Sequence, residues 1–304
     1  MTSFKPLKLT TLAVFATMLA YTNQPFSNNL ISSAAAETAA VDANQTSLDA
    51  ALDAQSDEAK ARFDSRNPKQ TLEFFGIEPG MTVVDVLPGG GWYTKILLPY
   101  LGDEGTVIGA DYPIALYENF GFMTPERLEE KKTWVSDWVG DATEWKTDNS
   151  ASLAAFQLGD MPESMNGTAD AIIMVRALHH LNRFEEGNGF LTSALAESFA
   201  VLKPGGTLGL VQHHAAEDRP DEWADGSNGY LKKSLVMDAM TAAGFEFVAE
   251  SSVNSNPKDE AGEGDNVWRL PPALSGAKDD PAKKAAAEAI GESNRMTLKF
   301  RKPI

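Results

Sequence analysis

The chain has 304 residues, no cysteine and only four histidines. Without cysteine there can be no disulfide, zinc–thiolate site or thiol nucleophile, so the fold has to stand on its hydrophobic core alone. Basic residues are also in short supply, with 26 Lys and Arg against 43 Asp and Glu, a formal net charge of −17. Such a surface repels phosphate backbones and anionic lipid, which sets nucleic acid aside as a partner. The mostly apolar run from Leu9 to Tyr21 falls short of the roughly 20 residues that a membrane-crossing helix needs. No Gly/Ser- or Pro-rich linker and no internal repeat interrupts the sequence, so one domain with insertions is expected.

What is present begins with Lys5 and Lys8, no acid before Glu37, the apolar run, and then Ala34-Ala35-Ala36. Basic, hydrophobic and small-residue parts in that order are the pattern of a secretory leader. Residues 1–36 are therefore expected to be a signal peptide, the mature protein to be periplasmic or secreted, and no stable membrane insertion to remain after cleavage. Residues 37–66 are expected to form a disordered start followed by a helix from Leu48 to Phe63, and 67–304 to form the main domain. Asn67-Pro68 and Gly76 bracket a further helix, with an N-capping side chain, proline at the first helical position and glycine as the stop.

From Met81 onward short apolar runs alternate with helical segments, the signature of a mostly parallel sheet with helices on both faces. Strands are expected at 82–87, 106–110, 154–159, 170–175, 206–212, 245–252 and 296–301, seven in all. The most informative unit is Val83-Val84-Asp85-Val86-Leu87-Pro88-Gly89-Gly90-Gly91-Trp92, followed by a helix and a second strand that runs into Asp111. Glycines let a ligand approach the backbone and the next helix offers unpaired N–H groups, while an acid about 20 residues on would accept hydrogen bonds from a ribose. The expectation is a nucleoside-containing cofactor; the plainer alternative is a tight turn that packs a helix on a sheet. A dinucleotide fits less well, because the third glycine of that fingerprint falls on Thr94.

The Asp85 strand, the turn at 88–91, Asp111, the segment Leu158 to Pro162, the strand from Ala169 and Leu202-Lys203-Pro204-Gly205-Gly206 together resemble class I S-adenosylmethionine-dependent methyltransferases over about residues 68–252. More narrowly, Val84–Thr94, Ala177–Phe184 and Gly291–Pro303 look like the family of exported predicted methyltransferases of unestablished substrate. The resemblance implies a Rossmann-like α/β fold and S-adenosylmethionine as cofactor. Gly89 and Gly91 would line its methionine part, Asp111 would bind the ribose diol and Asp160 would sit by the adenine amino group. Asp85 would hold the turn or reach the cofactor ammonium through water, and Trp92 would line the site. One departure is plain: Leu87 stands where the family's motif has a glycine.

The histidines come as two pairs, His179-His180 and His213-His214, after strands that the family's order makes neighbours, with ligands outside their carboxyl ends. At most one of each pair is expected to face the pocket. His180 and His213 are the candidates for a general base; the other readings are strand-end caps, or a metal site with Glu217, Asp218 or Asp160, although the spacing matches no known ligand motif and no metal ligand is assigned. An insertion at about 254–294 is the candidate substrate lid. Arg269 and Arg295 either clamp an anionic substrate or pair with acids such as Asp265 and Glu292, the latter being favoured. Trp134, Trp138 and Trp145 read as a buried helix face.

These features lead to a methyltransferase acting on a small molecule. Two alternatives stay open: a non-catalytic exported protein that binds a nucleoside or other small ligand on a degenerate scaffold, and a histidine-based metal-binding protein.

Overall fold

The alternation of apolar runs and helical segments is realised as a twisted sheet in a computed structural model that describes Met1 and residues 48–304. The expected leader and the start at 37–47 lie outside the described residues. The strands are β1 (Thr82–Val86), β2 (Thr106–Asp111), β3 (Ser152–Gln157), β4 (Ala169–Val175), β5 (Leu202–Ala215), β6 (Leu231–Lys232), β7 (Glu246–Ser251) and β8 (Arg295–Arg301). Seven of them run in the order β3-β2-β1-β4-β5-β8-β7, and β6 pairs with β5 alone. β1 to β5 pair in parallel, whereas β8 is antiparallel to both β5 and β7.

The eighth strand arises because β5 is longer than its apolar run suggests. Its first residues, Leu202 to Gly206, read as a helix-closing turn in the sequence, yet Leu202 pairs with Ala169 through an irregularity in register. At the other end His214 and Ala215 pair with Leu231 and Lys232. Pairing continues wherever a neighbouring backbone can satisfy N–H and C=O groups, and hydropathy does not report that.

Successive side chains in a strand point to opposite faces, and β1 shows it. Val84 and Val86 enter one core with Leu178, Leu181, Leu191 and Leu195 of the helices Leu178–Arg183 and Phe190–Val201. Val83 enters the other core with Ile96, Leu97 and Leu101 of the helix Thr94–Leu101. Each such fully buried aliphatic side chain contributes roughly 1.5–3 kcal/mol. Gly109 in β2 leaves room for Trp138; a Cβ there would stand 2.7 Å from the indole.

The helix expected from Leu48 to Phe63 is broken into pieces at 48–53, Asp57–Lys60 and Phe63–Arg66. Ser56 starts a new helix by accepting a hydrogen bond from the Ala59 N–H, as N-cap serines do. Leu48, Ala51 and Leu52 are buried in the core that holds Val83. Asn67 does not cap the helix Pro68–Phe75 with its side chain; it takes a left-handed backbone, φ 43°, and its amide donates to the Val253 carbonyl instead. Between β7 and β8 the chain forms a 3-10 turn at Val267–Arg269, a cis Pro271–Pro272 bond and the helix Pro281–Ile290. Among the described residues no helix is long and apolar enough to cross a membrane.

Candidate active site

The turn after β1 is built by three local devices. The Leu87 N–H donates to the Ala110 carbonyl at 2.7 Å, which continues the β1–β2 ladder by one residue. Leu87 itself then turns left-handed, φ 56°, so the backbone keeps the conformation a glycine would supply although the residue is leucine. Asp85, buried beneath, accepts a hydrogen bond from the Thr94 hydroxyl at 2.7 Å and so ties the end of β1 to the first turn of the following helix. Burial pushes the Asp85 carboxyl up to about 7 against the hydrogen bonds from Thr94.

Above this turn a cavity of about 1020 Å³ opens, lined by Leu87, Pro88, Gly89, Gly90, Trp92, Trp145, Arg176 and Pro272, with residues of the helices at 50–62. A Cβ placed on Gly89 or Gly90 would meet nothing within 4 Å, so a ligand has direct access to that backbone. Gly91 is different from its expected place against a cofactor. Trp145 already fills that close approach, 2.1 Å from where a Cβ would be, and is held there by the Lys95 ammonium, 4.4 Å from the ring centroid. Trp145 therefore belongs to the cavity wall, apart from Trp134 and Trp138, which stack on one helix.

Trp92 lines the cavity, with the Arg66 guanidinium 4.7 Å from its ring centroid and its own Nε1 buried without an acceptor. Asp111 ends β2 and is buried, accepting from the Tyr117 hydroxyl at 2.6 Å and from the Lys131 ammonium at 2.8 Å. The carboxylate meant for a ribose is thus occupied by donors of the chain. Burial and the adjacent Asp111 charge push the Tyr117 phenol well above its ordinary value. Asp160 lies just beyond β3 and is exposed.

Three of the four histidines gather at the ends of β4 and β5. The rings of His179 and His180 are 4.1 Å apart, His179 and His213 are 5.4 Å apart, and His180 stacks on Trp268 at 6.1 Å. Both members of the first pair enter the cluster because they lie on a helix, where neighbours diverge by less than on a strand. His214 leaves it for the side of β6. His213 Nδ1 is 2.6 Å from the Ser293 hydroxyl, and His179 Nδ1 is 3.4 Å from Gln212 Oε1. Burial holds His179 and His213 well below the ordinary imidazole value, and burial with the Arg183 charge brings His180 down to about 4. All three are neutral at pH 7. None lines the cavity over the glycine turn.

The oxygen ligands considered for a metal are placed otherwise: Glu217 accepts from the Ser234 N–H and hydroxyl, and Asp160 is exposed. Among the described residues no three His, Asp or Glu side chains are grouped so as to hold a metal ion. Arg269 pairs with Asp259 at 2.8 Å and with Asp265 at 3.3 Å, and Arg295 with Glu292 at 3.1 Å, the acid-pairing alternative in both cases. The residues that sequence reasoning missed are Arg62, Arg66 and Arg176, which line the cavity. The one local signal was Arg176, a basic residue directly after an apolar strand, at the carboxyl edge where ligands of such sheets bind.

No family model and no curated protein sequence matches the chain. Among solved structures it is similar to that of the [4+2]-cyclase SpnF, with 19% identity over 79% of this chain and 81% of that one and a TM-score of 0.50. It is also similar to an S-adenosylmethionine-dependent methyltransferase from Aquifex aeolicus, 18% identical over 79% of this chain and 92% of that one, TM-score 0.44. A third, from Mesorhizobium loti, is 14% identical over 77% and 96%, TM-score 0.40. With its order β3-β2-β1-β4-β5-β8-β7 and antiparallel β8, the chain has the Rossmann-like fold of the class I S-adenosylmethionine-dependent methyltransferases.

Proposed function

We propose that this protein is an S-adenosylmethionine-dependent methyltransferase acting on a small molecule. The observation that carries the reading is the turn after β1: glycine-like at Leu87, open above Gly89 and Gly90, facing a large cavity, and hydrogen-bonded to the strand that ends in Asp111. Fold alone would not suffice, since one fold hosts unrelated chemistries.

The residues fit the cofactor. The backbone of Gly89 and Gly90 would hold its methionine part, and Asp160 its adenine amino group. Asp111 would take the ribose diol in exchange for Lys131, replacing one hydrogen-bond donor with others, so that the buried carboxylate is never left unpaired. When bound, S-adenosylmethionine supplies a methyl group on a sulfonium. The contribution of the chain is then mainly alignment and exclusion of water, because effective molarity supplies most of the gain in such a transfer. His180 and His213, both neutral, are the proton acceptors we assign to the substrate, with half-buried His180 the more accessible of the two. The leader pattern supports a periplasmic or secreted place for this activity.

Calorimetric titration of S-adenosylmethionine and S-adenosylhomocysteine into the protein and into Asp111→Ala tests the reading. Micromolar binding that Asp111→Ala abolishes is expected. Absence of binding to the unaltered protein would overturn it.

A further inference from the structure

Three of the chain's 26 basic side chains converge on one carboxylate, and a fourth, Arg176, lines the same cavity as two of them. Arg62, Arg66 and Arg295 all pair with Glu292, at 3.2 Å for Arg66 and 3.1 Å for Arg295. Arg295 also donates to the backbone carbonyls of Ser65 and Ser293. The fourth, Arg176, feels the same carboxylate without a hydrogen bond to it. Among the described residues Arg176 has no ion-pair partner, and its Nε is buried with no acceptor. The Trp92 Nε1, in the same cavity wall, is also buried and unsatisfied.

Four guanidiniums against one carboxylate leave a surplus of about three positive charges at a partly enclosed site, which is costly unless an anion completes it. Tyr93, the other acidic group nearby, does not help, since burial pushes it up to about 12 and it stays neutral. The surplus stands out in a chain whose net charge is −17. Arg62, Arg66 and Arg176 present it to the cavity over the glycine turn, and the planar guanidinium fork matches the oxygens of a carboxylate or phosphate.

We propose that this cavity takes a small oxyanion, a carboxylate or phosphate carried by the methyl acceptor, with Arg176 as its principal bidentate partner and Arg62 and Arg66 beside it. That the oxyanion belongs to a methyl acceptor rests on the methyltransferase reading; the anion site itself does not.

The test is calorimetry and thermal melting of the whole protein with inorganic phosphate and with malonate, against chloride at matched ionic strength, with and without saturating S-adenosylmethionine. Phosphate or malonate is expected to bind and to raise the melting temperature. Arg176→Met is expected to weaken binding about tenfold or more, and Arg176→Lys, which keeps the charge and loses the fork, to restore it only in part. Saturating S-adenosylmethionine is expected to leave anion affinity unchanged or tighter. If S-adenosylmethionine binds and neither anion does, the inference fails and the methyltransferase reading stands. Mutual exclusion between anion and cofactor would also overturn it, because the arginines would then serve the cofactor's own carboxylate. Anion binding without cofactor binding keeps the site and removes the methyltransferase reading.

Discussion

Leu87 and Arg176 occupy equivalent places in adjacent strands and share one backbone state. Each directly follows the last residue of a parallel strand, β1 or β4, and each is left-handed, at φ 56° and 59°. Each donates its N–H at 2.7 Å to the next strand outward, Leu87 to Ala110 and Arg176 to Val211. Both line the same cavity. For residues with a Cβ this conformation costs about 1–2 kcal/mol, and strain of that kind collects at functional sites where surrounding structure enforces it.

Substitution at position 87 separates strain from packing. Leu87→Gly relieves the backbone but loses a partly buried side chain, so its stability in urea is expected to lie within about 1 kcal/mol of the unaltered protein. Leu87→Val, β-branched and poorly suited to φ 56°, is expected to cost about 2 kcal/mol or more. Equal stability of the two variants would mean that the left-handed turn is not retained.

Asp85 should make the fold less stable as pH rises. Its folded pKa of about 7 lies above the ordinary 3.8, so its contribution is fully present below about pH 4 and is lost as pH climbs through 7. Asp85→Asn keeps an acceptor for Thr94 and carries no charge. It is expected to be more stable than the unaltered protein at pH 8, by an amount on the order of a few kcal/mol, with the gap closing towards pH 4. Denaturant midpoints across that range measure it.

The histidine cluster acts in the opposite sense. His179, His180 and His213 are all held below their ordinary value, so their contribution is present above about pH 6.5 and is lost as pH falls below it, through about 4 for His180. Three such groups outweigh the single Asp85, and net loss of stability on acidification through this window is expected. The loss should be steeper in Asp85→Asn and shallower in a His180→Gln variant, read from melting temperature against pH.

Lys131 competes with the ribose for Asp111 in the proposed function. Lys131→Met is therefore expected to tighten S-adenosylmethionine binding by about three- to tenfold, while lowering stability by about 1 kcal/mol through loss of a charge-assisted hydrogen bond to a buried acid. Calorimetry and urea unfolding read the two effects separately. Weaker cofactor binding would show that Lys131 supports the site rather than filling it.

The strands were legible because each parallel strand is a short apolar run closed by a turn, and Asp85, the glycines and Asp111 mark where two of them end; their order was implied only by the family resemblance. Leu87 was legible only as a departure. The residue type changed while the backbone conformation stayed, because the β1–β2 ladder and the Asp85–Thr94 hydrogen bond fix the turn whatever stands at 87. The closeness of His179 and His180 was not legible, because it depends on their lying on a helix, where an extended segment would part them. Least legible was the arginine cluster. Arg66 and Glu292 are 226 residues apart, and no periodicity or local spacing reports a meeting at that separation. Taken singly, Arg295 beside Glu292 was correctly read as an ordinary ion pair.

Glu292 also joins distant parts of the chain. The walls of the cavity come from helices near residue 60 and from strand ends in the middle of the sequence, and the helices are anchored by a carboxylate 230 residues from Arg62, next to the strand that inserts between β5 and β7. Contacts of such long range form late, because the closure entropy must be met before they reward it. A ligand gripping Arg62 and Arg176 would add a second tie, between the N-terminal helices and the end of β4, that does not pass through β8.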